Sequence, residues 1–101
     1  MATARATHAV VANFDMDASR RDEQEEGLRN RIAPGVRSTP GVVHGYWTRS
    51  RDDTRSTVMV LFESARAAAA FAESVQANAA GQQSVGIVLR DVDVRVITAE
   101  V

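Results

Sequence analysis

Apolar positions along this chain follow two periods. In 6–14, "ATHAVVANF", side chains that suit extended backbone run together until the polar "DMDAS", which predicts a first strand. Over about 20–33 the apolar positions thin to Leu28 and Ile32, with Val36 as an extension. Their four-residue spacing predicts a helix with one packed face and a solvated remainder. Ser19 and Asp22 have capping-box spacing; Asp22, Glu23, Glu25 and Glu26 sit near the helix's positive end, and Arg29 and Arg31 towards its negative end.

"TPG" at 39–41 breaks the chain and launches a second strand, "VVHGYWTRS". The polar gap "RDDTR" separates it from a third, "STVMVLFE", which is nearly apolar on both faces, so the two are expected to form a hairpin. Ser64 is placed to cap a second helix, "ARAAAAFAESVQANAA", whose Ala68, Phe71, Ala72, Val75 and Ala79 share one face, with Gly81 as its end. In the last segment Val92, Val94 and Val96 alternate with Asp91, Asp93 and Arg95, whereas Val85, Ile87 and Leu89 keep the opposite phase. A bulge or break near Arg90 reconciles them.

The order β-α-β-β-α-β predicts a single ferredoxin-like α+β domain over 1–101: an antiparallel sheet with both helices on one face. The helix-free face then carries apolar residues of the third strand. A second copy of the chain would cover them, so a homodimer is expected.

Composition narrows the function classes. The net charge of −1 argues against nucleic-acid backbones as partners, and the aromatics are too sparse on the central strands for RNA stacking. All 12 basic residues are arginine. With no cysteine, disulfides and thiolate metal sites are excluded. No apolar run reaches the ~20 residues that cross a bilayer, and "MATARATHAVVANF" does not read as a signal peptide, so no membrane association and a cytoplasmic location are expected.

The side chains with chemical capability concentrate in "PGVVHGYWTRS", residues 40–50. Strand periodicity divides them: His44, Tyr46 and Thr48 share one face, and Val43, Gly45, Trp47 and Arg49 the other. A neutral imidazole at His44 is suited to taking a phenolic proton. Arg49 or Asn13 is suited to holding an oxyanion, and Trp47 to stacking on a flat ring. The same residues also have structural readings, Trp47 as core or interface and His44 as a hydrogen-bonded scaffold residue. Gly45 makes room for a ring beside it.

Several features together resemble the dimeric α+β-barrel superfamily, and within it the antibiotic biosynthesis monooxygenase-like domains. They are the strand reaching Asn13, the acidic first helix, the "PG" before the second strand, and Phe62 followed by "ES" and an alanine-rich helix. The resemblance implies a dimer whose sheets face each other and a pocket between sheet and helices. It implies a cofactor-independent monooxygenase acting on a small aromatic or phenolic molecule, needing neither metal nor flavin. A non-catalytic ligand-binding or stress-associated homodimer is the alternative. The residues expected at such a site are His44 and Asn13 for catalysis, with Tyr46, Trp47, Arg49, Phe62 and Phe71 against the substrate. The haem-degrading branch asks for tryptophan where Phe62 stands and for a histidine on the second helix where Phe71 and Ala72 stand. Neither Phe71 nor Ala72 can ligate iron, so ordinary haem degradation is not expected.

Overall fold

Strand β1, His8–Met16, lies inside the sheet and is paired antiparallel on both sides, with β3 (Arg55–Phe62) and with β4 (Ile87–Val96). Strand β2, Val42–Trp47, forms the hairpin with β3, so the order across the sheet is β2-β3-β1-β4. The computed structural model describes residues 5–101. The predicted β-α-β-β-α-β order holds throughout.

Alternation sorts the sheet into two faces. Val10, Ala12 and Phe14 of β1, with Val58, Val60 and Phe62 of β3, point towards the helices and form the core together with Ile87 and Ala68. Phe62, Val10 and Val60 are fully buried. Leu28, Ile32 and Val36 of the first helix lie across this face, as do Phe71 and Val75 of the second. The predicted bulge in the last strand is present: Asn13 pairs with Asp91 and Phe14 with Leu89, which leaves Arg90 as the extra residue. That insertion keeps Leu89 and Val92 on the core side despite their opposite phase.

Several boundaries differ from those the sequence predicts. First, β1 continues through Asp15 and Met16, which pair with Val88 and Ile87. Second, the first helix is capped by Asp17 and not by a Ser19–Asp22 box. The Asp17 carboxylate accepts from Ser19 Oγ at 2.6 Å and from Ser19 N at 3.0 Å, which lowers its pKa below the ordinary 3.8.

Third, the helix does not stop near 33 but runs over 18–37, from a 3₁₀ turn through a wide π turn at Leu28–Ile32 to Ala33–Arg37. Ala33 N–H bonds Leu28 O across the wide turn, and the ladder opens just where Pro34 supplies no donor. Fourth, the second helix proper is Ala65–Ala77, capped by Ser64, whose Oγ accepts from Ala67 N at 3.1 Å. Gly81 lies within a short following turn, Ala79–Gln82. The true terminator is Gly86, at φ 75, where an added Cβ would sit 2.6 Å from Asp17 Cβ.

Strand β2 likewise ends at Trp47, and the hairpin loop that follows is fastened by Asp52. Its carboxylate accepts from Thr54 Oγ1 at 2.6 Å, Ser50 Oγ at 2.8 Å and Thr54 N at 3.1 Å. Among the described residues, no helix is long and apolar enough to cross a membrane.

Candidate functional site

Between the core-side face of the sheet and the two helices lies a cavity of about 140 Å³. Space of this order holds one aromatic ring, and a larger fused ring system would extend through the opening to the surface. Its apolar wall comes from Phe14, Leu28, Trp47, Val58, Phe71 and Val75, and exposed Thr48 stands where it reaches the surface. Trp47 faces inwards because of its position in β2. Gly45, two residues earlier on the same face, leaves room for the indole: a Cβ there would stand 3.3 Å from Trp47 Cζ3. Opposite, Phe71 leans on buried Phe62, with ring centroids 5.2 Å apart.

The polar end of the cavity is built around Arg49, two residues beyond Trp47 and on the same side of the chain. Its side chain is only 14% exposed. Nη2 donates to Gln24 Oε1 at 3.0 Å and lies 3.7 Å from Glu25 Oε2; Nη1 donates to Asp53 O at 3.3 Å. The buried Nε has no hydrogen-bond partner and sits 3.8 Å from Asp53 Oδ1, itself 3.4 Å from Arg21 Nε. Glu25 and Arg49 are the charged residues of the lining, so one carboxylate and one guanidinium face an otherwise uncharged and mostly apolar space.

Gln24 holds this arrangement and was not among the expected site residues. It is 3% exposed, and its Nε2 donates to Asp17 O at 3.0 Å and to Val85 O at 2.9 Å. These two carbonyls fix which way the amide points and aim Oε1 at Arg49. The available sequence signal was position: Gln24 lies one helical turn before Leu28 on the stripe that continues to Ile32 and Val36.

The sheet divides the expected residues. Trp47, Arg49 and Phe71 line the cavity, and Phe62 supports Phe71 from behind without lining it. Asn13, His44 and Tyr46 project from the helix-free face. Asn13 Nδ2 donates to Asp91 Oδ1 at 2.8 Å, and its Oδ1 accepts from Thr57 Oγ1 at 2.7 Å. His44 and Tyr46 meet edge to face with centroids 4.8 Å apart. A bulge does occur in β2, where Val42 pairs with Phe62 and His44 with Leu61. It falls at Val43, ahead of these residues, so His44 and Tyr46 stay on the face opposite Trp47.

No family model and no curated protein matches the chain. Solved structures do. The monooxygenase from the gene ActVA-Orf6 of Streptomyces coelicolor, in complex with nanaomycin D, superposes with a TM-score of 0.65 at 15% identity, over 94% of this chain and 88% of its own. The haem-degrader MhuD of Mycobacterium tuberculosis, with two haems in its active site, gives 0.71 at 20% identity, over 93% and 98%. A dimeric ferredoxin-like protein from an uncultured marine organism gives 0.70 at 8% identity, over 99% and 95%. The chain has the ferredoxin-like fold that these structures share. That ferredoxin-like scaffold is shared by proteins of different activities, a monooxygenase and a haem-degrader among them, so the fold alone does not fix the chemistry.

Proposed function

We propose that this ferredoxin-like protein is a cofactor-independent monooxygenase acting on a small aromatic or phenolic substrate bound between sheet and helices. The carrying observation is the pairing of an apolar, aromatic-walled cavity with one buried guanidinium, that of Arg49. Trp47 and Phe71 bind the ring. Arg49 stabilises the oxyanion that forms when the substrate gives up its acidic proton, and it does so in a desolvated space where its charge acts at short range.

The electron-rich anion then reacts with dioxygen. In an anthrone-type substrate a ring CH₂ becomes a carbonyl: one oxygen atom enters the ring, and the second leaves as water with the two hydrogens. The substrate supplies the electrons. The likeness in fold to the ActVA-Orf6 monooxygenase supports this reading.

The assembly proposed with it is a homodimer joined through the helix-free faces. Tyr46 is 56% exposed and Met59 41%, and they lie on that face beside half-buried Leu61. Dimeric proteins of the same fold support this arrangement. His44 and Asn13 would then lie at the interface, within reach of the partner's sheet.

Oxygen uptake by purified protein with an anthrone or hydroquinone, with no metal or flavin added, tests the function. Uptake of one dioxygen per substrate molecule, with a carbonyl product and strong dependence on Arg49 in Arg49→Gln, is expected. A ring that binds and is recovered unchanged would overturn the enzymatic reading in favour of a binding protein.

A further inference from the structure

Resting on the monooxygenase reading, we propose that Glu25 is the base that takes the substrate's proton. The reading requires a proton acceptor inside the cavity, and the lining contains two charged side chains, Arg49 and Glu25. Arg49 cannot accept a proton. His44, the imidazole that sequence favours for this task, is on the other side of the sheet.

Glu25 is placed for the work. Its Oε2 is 3.7 Å from Arg49 Nη2, beyond hydrogen-bond reach, and its side chain is 29% exposed. Among the described residues no hydrogen bond occupies its carboxylate, in contrast to Asp17 and Asp52, each of which accepts through Oδ1 from hydroxyl and amide donors. A substrate hydroxyl or acidic C–H entering the polar end of the cavity finds its oxygens free to accept.

The step conserves charge within the site. The bond from hydrogen to the substrate breaks, the electron pair stays on the substrate, and a new O–H bond forms on Glu25. Arg49 begins beside a carboxylate anion and ends beside a substrate anion, so no uncompensated charge appears in the apolar space. Arg49 faces Glu25 from the hairpin loop, with Asp53 and Arg21 behind it. The strands, the second helix and the short turn after it, with Gln82, present uncharged side chains to the cavity. A neutral substrate therefore fits better than a carboxylated one.

The test compares wild type, Glu25→Gln, Glu25→Asp and the exposed control Glu26→Gln, using oxygen uptake for turnover and Trp47 quenching for ring binding. Glu25→Gln should bind the ring as wild type does and lose at least about 100-fold in rate at neutral pH, the usual scale of a lost general base. Its rate should then climb about tenfold per pH unit towards the substrate's own ionisation, because a substrate already ionised needs no base. Partial recovery in Glu25→Asp is expected, and no change in Glu26→Gln. A Glu25→Gln rate within threefold of wild type would overturn the assignment while leaving the monooxygenase reading in place. Ring binding by wild type with no oxygen uptake would overturn both.

Discussion

Gln24 Oε1 accepts a hydrogen bond from Arg49 Nη2 at 3.0 Å, and this contact joins the first helix to the loop of the β2–β3 hairpin. The same amide donates to Asp17 O and Val85 O, so one buried side chain ties together three turns at one end of the sheet. Gln24→Leu keeps the volume but leaves two carbonyls and a guanidinium short of a partner. We expect it to cost about 1–3 kcal/mol, read as a lower urea midpoint with an unchanged slope. A midpoint equal to wild type would show that water replaces the amide without loss.

Phe62 and Phe71 touch each other but should respond differently to truncation. Phe62 is fully buried, and Phe62→Ala is expected to cost about 3–5 kcal/mol. Phe71 is half-buried on the cavity wall, so Phe71→Ala should cost less than half as much and weaken ring binding at least tenfold, about 1.4 kcal/mol. Chemical denaturation and Trp47 quenching separate the two effects. Equal losses of stability from both would mean that Phe71 is core and not wall.

The hairpin loop carries a signature at acid pH. Asp52 is held down to about 2, from an ordinary 3.8, by the Thr54 and Ser50 hydroxyls and the Thr54 amide. Because the folded value is depressed, its contribution to stability is complete above about 3.8 and is lost as pH falls through about 2. NMR of the Asp52 carboxyl carbon should give a midpoint near 2, and the stability difference between wild type and Asp52→Asn should vanish below it. A midpoint at the ordinary value would mean that the loop hydrogen bonds do not persist in solution.

On the helix-free face, Met59 is 41% exposed and belongs to the surface proposed to meet a second copy. Met59→Glu puts a charge into that contact while leaving the core side of β3 untouched. Sedimentation should report a monomer that keeps its near-ultraviolet circular dichroism. A dimer surviving Met59→Glu would move the interface elsewhere.

The sheet was legible because alternation is a local signal. Even the extra residue at Arg90 follows from the phase change between Leu89 and Val92. The end of the first helix was not, since proline ordinarily stops a helix, and here a π turn at Leu28–Ile32 carries it past Pro34. The site was half legible. Alternation separates His44 and Tyr46 from Trp47 and Arg49, but it does not say which face looks at the helices, because both faces carry chemically capable side chains. Gln24 and Glu25 stayed hidden among acidic and amide neighbours that all suit a solvated helix start. Their roles depend on Arg49, 25 and 24 residues away in sequence.

The chain has one tyrosine and one tryptophan, adjacent in sequence and on opposite faces of the sheet. Tyr46 marks the helix-free face and Trp47 the cavity, so they report directly on where a ring binds. The decisive measurement is the set of intermolecular NOEs from the protons of a bound anthrone or hydroquinone to the aromatic protons of the protein. Cross-peaks to Trp47 and Phe71, with none to Tyr46 or His44, are the predicted result. Cross-peaks to Tyr46 and His44 instead would place the ligand at the helix-free face and contradict the account.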